Sequence, residues 1–373
     1  MIILLFSLLF FQQFDLLLLE KKSIEAREML EKEKISFLKA GKGRASRIIA
    51  RDILLAAYSQ KEDKTYVIRI EILVPRSSRG NIFNVAFVTP GYKVERLAGR
   101  GVTRLEFKVT KLNTHEELLV LDSRHLHLEK QRTSIRDIFY YPYSDVFQDK
   151  YFTDKGFSKY SEILREAQDE LCLTKVRSKA YPEKFLCNVF PDRMFLTLGA
   201  IEQMDDREFF ENPSHSLKKF LAHFARNNEK AFSYSISMDG ARGLMQFMNS
   251  KRNATYNLVL RKYREVNLVT DHEKGMADMK NSIKAAICLA DMNIAQMPQR
   301  AKDKFKDDWF LGGIFVAAAH NGGIGRTLLL WKESERKQAG LGFYTYIQKR
   351  VLLKETENFI KKYFETWKML ESR

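Results

Sequence analysis

The period of the hydrophobic pattern changes once along this chain. Tyr66 to Val74 alternates apolar and polar positions and stops at Pro75; Asn81 to Val88 stops at Thr89-Pro90-Gly91; Val102 to Val109 alternates again, and Leu118 to Leu121 reads as a further strand. A period of two, bounded by Gly and Pro, belongs to strands with one covered face. From Tyr151 onward the spacing is helical: Ser158–Leu173, Phe185–Glu202, Ser214–Asn228, a stretch from Gly243, Asn281–Gln296, Phe310–His320 and Lys354–Leu370. Glu20–Lys34 and Ala45–Tyr58 also read as helices. The expected fold class is α+β, with a small, mainly antiparallel β/α domain (21–145) preceding a mostly α domain (146–373).

The first 20 residues form an apolar segment. Ile2–Phe11, broken only by Ser7, fits the hydrophobic region of an export signal or an uncleaved anchor, although no Lys or Arg precedes it and Asp15 follows. A periplasmic or cell-envelope location is the expectation, with a buried helix as the alternative. The net charge of +16 suits a polyanionic partner, either nucleic acid or a bacterial wall. The basic residues are scattered, and no stripe of Arg with exposed aromatics marks a nucleic-acid face, so nucleic acid is disfavoured. The three cysteines (Cys172, Cys187, Cys288) lack CxxC spacing, which argues against a disulfide framework or a zinc site. Cys288, within an apolar helical face, reads as a core residue.

Three segments carry chemistry. In Ser235–Met248, two glycines (Gly240, Gly243) bracket Ala241-Arg242 and lead into Leu244-Met245-Gln246. Glycine permits positive φ and close backbone approach, and Gln246 would bring an amide donor and acceptor to a chain lying on this turn. In Ala317-Ala318-Ala319-His320-Asn321-Gly322-Gly323, a small-residue helix ends in polar groups and glycines. Glu355-Thr356 opens the last helix, with Phe359 four residues on.

In this order, the three segments resemble the soluble lytic transglycosylase family, over the C-terminal half only. That family joins a catalytic Glu at the end of an apolar helix to a Ser…Gly-Ala-x-Gly-Leu-Met-Gln turn, an Ala-Ala-Tyr-Asn-x-Gly helix end and a Glu-Thr-x-x-Tyr segment. Ser237 and Gly240–Gln246 match closely; His320 and Phe359 stand where the family usually has Tyr. The resemblance implies a lysozyme-like α domain that cleaves the bond between N-acetylmuramic acid and N-acetylglucosamine in peptidoglycan glycan strands. One Glu serves as acid and then base, leaving 1,6-anhydro ends, and no metal or organic cofactor is required. The usual glycosidase uses two carboxyl groups. Ser237, Gly240, Ala241, Gly243, Leu244, Met245, Gln246, Tyr256, His320, Asn321 and Phe359 are the implied substrate-binding set, with Tyr234 a further apolar platform.

Two glutamates compete for the acid. Glu202 ends the apolar run Met194–Ile201, a setting that keeps a carboxyl protonated, but it lies farther before Gln246 than the family spacing. Glu229 lies at the family spacing, but among Arg226, Asn227, Asn228 and Lys230, which suggest a solvated helix end. Glu202 is taken as the acid and Glu229 as the alternative. A hydrolytic muramidase, or a non-catalytic peptidoglycan-binding or assembly protein of the same fold, remains open. The N-terminal domain shows no catalytic constellation; it reads as an interaction or positioning module, for example toward a cell-envelope assembly.

Overall fold

The structure is a computed structural model. It describes residues 16–41, 47–74, 84–98, 102–129, 134–237, 239–249, 254–336 and 354–373. It is α+β and divides into two units, one of residues 1–100 and 105–146 and the other of 101–104 and 147–373. Most of the N-terminal apolar run lies outside the described residues; its last part, from Leu16, opens helix α1 (Leu16–Lys32), which buries Leu19, Ala26 and Leu30. Among the described residues no helix is long and apolar enough to cross a membrane.

The first unit is an eight-stranded antiparallel sheet with α1 packed on it. Its strands are β1 (Phe37–Ala40), β2 (Arg47–Ser59), β3 (Lys64–Leu73), β4 (Asn84–Val88), β5 (Tyr92–Ala98), β6 (Glu106–Lys111), β7 (Glu116–Glu129) and β8 (Ser134–Tyr140). The path is β4-β3-β2-β7-β6-β5, with β1 beside β2 and β8 beside β7. The alternating runs at Tyr66 and Leu118 lie in β3 and β7, but the described part of Ala45–Tyr58, from Arg47, is not a helix. It is the central strand, and its second half is buried at every position because both faces are covered. Ile53, Leu55 and Ala57 pack on Ile68, Ile70 and Val120, while α1 lies on the sheet across β2 and β7. A strand covered on both sides loses its period of two and reads as a continuous apolar run. Buried charges here are paired: Asp122 accepts from Arg27, and Asp52 accepts from Arg69 at 2.7 Å and from the Ser36 amide at 2.8 Å.

The second unit is helical. It comprises α2 (Lys150–Leu173), α3 (Asp192–Gln203), α4 (Asp206–Glu211), α5 (Pro213–Asn227), α6 (Thr255–Lys262), α7 (His272–Ala277), α8 (Met279–Ile294), α9 (Gln299–Asp307), α10 (Trp309–Gly322), α11 (Ile324–Arg336) and α12 (Lys354–Glu371). Helix α2 meets α5 so closely at Gly156 that an added Cβ would stand 1.9 Å from the Leu221 carbonyl oxygen. Two helices expected from the sequence are corrected. Phe185–Glu202 is interrupted at Pro191, which starts α3, since proline disfavours helical backbone in the residue before it. The stretch after Gly243 is a turn, because Gly243 and Gln246 both take positive φ. A third correction concerns the cysteines: Cys172 and Cys187 form a disulfide between the end of α2 and the Leu186–Asn188 turn. Sequence spacing hides this pair because the chain reverses between the two residues. Cys288 is fully buried in the core, as expected.

Candidate active site

Helix α3 carries Glu202 into place. Met194–Ile201 is buried throughout, and at Gly199 an added Cβ would stand 2.2 Å from the Tyr160 hydroxyl, so α3 lies tight against α2. The helix ends on a buried cation. Lys362 Nζ donates to the Ile201 and Met204 carbonyls at 3.0 and 2.8 Å and pairs with Asp206 at 2.8 Å. A cation there satisfies orphan carbonyls and opposes the negative end of the helix dipole.

The residue after Glu202 binds the glycine turn. Gln203 Nε2 donates to the Gly243 and Leu244 carbonyls at 2.9 and 2.8 Å, and its Oε1 accepts from the Ser235 hydroxyl at 2.9 Å. The turn is closed by its own bonds: Ser237 N to Ala241 O at 2.9 Å, Ala241 N to Ser237 Oγ at 3.0 Å, and Gln246 Nε2 to Gly243 O at 2.6 Å. Gly243 has φ +71°, and a Cβ there would stand 2.1 Å from the Met276 carbonyl oxygen.

Helix α10 closes the opposite side. Ala317–Ala319 are buried and bring the helix end close. His320 Nε2 lies 3.2 Å from Glu202 Oε1 and 3.0 Å from the Met245 carbonyl oxygen, and its ring meets the Phe247 ring edge-on at 5.6 Å. Burial pulls the His320 pKa down, but the bond and charge of Glu202, together with the Met245 carbonyl, outweigh it and hold the pKa above its ordinary value. Asn321 Oδ1 accepts from Thr356 Oγ1 at 2.8 Å, tying α10 to the start of α12.

These elements surround a cleft of about 590 Å³. Glu202, Ser237, Ala241, Gln246, His320, Asn321 and Phe359 line it, so the three motifs converge on one cleft. Other expected residues lie elsewhere. Leu244 and Met245 are buried beneath the turn, and neither Gly240 nor Gly243 lines the cleft; their contribution is to the turn's shape. Tyr256 is a core residue: fully buried, its hydroxyl donates to Val269 O and accepts from Asn281 Nδ2 at 2.9 Å. Tyr234 does not line the cleft, and Glu229 is exposed on the Asn228–Lys230 turn, away from it.

Sequence reasoning missed the roles of Gln203 and Lys362, and placed Thr356 in its motif without a partner. Lys362 was detectable, since it falls on the apolar stripe of α12 with Phe359, Tyr363 and Thr366, all buried. The cleft also holds Asp205, Asp206, Asp239 and Glu355. Asp206 is held by Lys362 and by Asn358 Nδ2 at 3.0 Å, and Asp205 caps α4. Among the described residues no group of three or more His, Cys, Asp or Glu could hold a metal ion. Comparison with family models, curated proteins and solved structures finds no match to this chain.

Proposed function

We propose that this cleft cleaves the glycan strands of peptidoglycan as a lytic transglycosylase, on a lysozyme-like helical domain, with Glu202 as acid and base. The observation that carries the reading is convergence. A part-buried carboxyl, a side-chain amide (Gln246), a hydroxyl (Ser237) and Asn321 share one cleft, although the sequence keeps them far apart. Such a set suits a neutral, hydroxyl- and amide-rich sugar chain. In the reaction Glu202 gives its proton to the glycosidic oxygen as the C1–O bond breaks, and the bonding pair leaves with that oxygen. The carboxylate then takes the proton of the muramic acid 6-hydroxyl as O6 bonds to C1. The anhydro ring closes and the carboxyl ends protonated, ready for another cycle.

Two further features support an envelope setting. A disulfide persists in oxidising compartments, and a net charge of +16 suits an anionic wall. In this reading the N-terminal unit is a positioning module for the envelope.

The test is anhydro-muropeptide release from purified sacculi, followed by mass spectrometry. Glu202→Gln is expected to lower the rate by about 10²–10⁴-fold, the usual worth of a general acid, with Glu229→Gln near wild type. Loss with Glu229→Gln alone would move the acid to Glu229. Reducing rather than anhydro ends would make the protein a hydrolase.

A further inference from the structure

We propose that His320 positions Glu202 for the acid step, an inference that rests on reading the cleft as a glycan-cleaving site. The argument begins with one nitrogen. His320 Nε2 lies within reach of two acceptors, Glu202 Oε1 at 3.2 Å and Met245 O at 3.0 Å. A backbone carbonyl can only accept, so Nε2 carries a hydrogen. That hydrogen, shared between the two oxygens, makes Glu202 Oε1 an acceptor. A proton on the carboxyl therefore belongs on Oε2, which has no partner among the described residues and is not sealed from the cleft. The imidazole thus selects which oxygen of Glu202 is presented to substrate.

The surroundings make this pair a unit. Both side chains are nearly enclosed, at 7% and 11% exposure. Of the cleft's other charged groups, Lys362 and Asp206 neutralise each other and Asp205 caps α4. Asp239 and Glu355 are exposed on the turn and on α12, and α8 presents only Leu289. Glu202 is the charged group that bonds His320. Because Nε2 keeps its hydrogen against the Met245 carbonyl, an imidazolium loses its second proton from Nδ1, so charged and neutral His320 alike donate from Nε2 to Glu202. Burial lowers the His320 pKa, but the bond and charge of Glu202 and the Met245 carbonyl hold it above its ordinary value.

The test uses the full-length protein and two independent readouts. His320 is titrated by NMR of its imidazole in wild type and in Glu202→Gln. Its pKa is expected to fall by a unit or more in the variant, because burial then acts with no anion to oppose it. The pH dependence of kcat/KM on sacculi is measured for wild type and His320→Gln, whose amide can still donate to both oxygens but cannot titrate. His320→Gln is expected to keep kcat and KM near wild type, whereas His320→Phe, which cannot donate, loses kcat at every pH with KM little changed. An unchanged His320 titration in Glu202→Gln overturns the proposal, and so does a His320→Phe kcat equal to that of wild type. If wild-type protein releases no glycan product at any pH, the glycan-cleaving reading falls, and the titration alone decides whether the two residues are bonded.

Discussion

The Gln203 amide donates to the Gly243 carbonyl oxygen at 2.9 Å, so the residue beside Glu202 is also the anchor of the glycine turn. Helix α3 and the turn are thereby set relative to each other by one buried side chain. Gln203→Ala removes bonds to Gly243, Leu244 and Ser235 and strands buried partners. It is expected to cost about 2–4 kcal/mol in urea unfolding, with a fall in activity larger than the stability loss explains. Gln203→Glu, which keeps the length but brings a charge toward two carbonyls, should be no better.

The two glycines of the turn should separate. Both have positive φ, but only Gly243 faces a wall: an added Cβ meets the Met276 carbonyl at 2.1 Å, whereas nothing lies within 4 Å at Gly240. Gly240→Ala is expected to cost roughly 1–2 kcal/mol from backbone conformation alone. Gly243→Ala is expected to cost roughly 2–5 kcal/mol, since overpacking adds to the strain. Thermal unfolding of both variants checks the order.

His272 and His320 should act on stability with opposite signs. Burial lowers the His272 pKa below its ordinary 6.5, aided by Arg242 and opposed by the bond to Phe247 O. A histidine that folds preferentially neutral contributes stability above the unfolded pKa and loses it as pH falls below about 6.5. His320, with its pKa raised, contributes below that value and loses its contribution as pH rises through its folded pKa. Between pH 7 and 5, wild type should therefore lose stability relative to His272→Gln; a difference independent of pH would refute the assignment.

The disulfide spans a sequence separation of 15 residues, for which loop-closure entropy gives about 3 kcal/mol. Cys172→Ser with Cys187→Ser should lower the free energy of urea unfolding by that amount, and dithiothreitol should do the same to wild type. The double variant should be indifferent to reductant, because Cys288 is sealed in the core.

Much of the fold was legible where one face of an element meets solvent. β3 was plain because alternate side chains of Tyr66–Leu73 look outward, and α12 because its stripe from Thr356 to Leu370 is one-sided. β2 was misread for the opposite reason, since a strand covered on both faces offers no contrast. Of the site, the Gly240–Gln246 turn and the apolar setting of Glu202 could be read locally. Proximity could not: sequence spacing favoured Glu229, and only folding brings Glu202 to Gln246 across the intervening α4 and α5. Gln203 and Lys362 act through buried bonds to distant backbone, which leave no local pattern beyond a polar residue on an apolar face, and the partner of Thr356, Asn321, is set only by folding.

The position of Lys362 bears on how such a molecule is made. Glu202 emerges from the ribosome long before α12, yet the carbonyls at its helix end, Asn321 and one wall of the cleft all await Thr356, Phe359 and Lys362. A nascent chain therefore carries Glu202 without the finished cavity around it. The cavity proposed to cut glycan is therefore completed only once the last helix has been made.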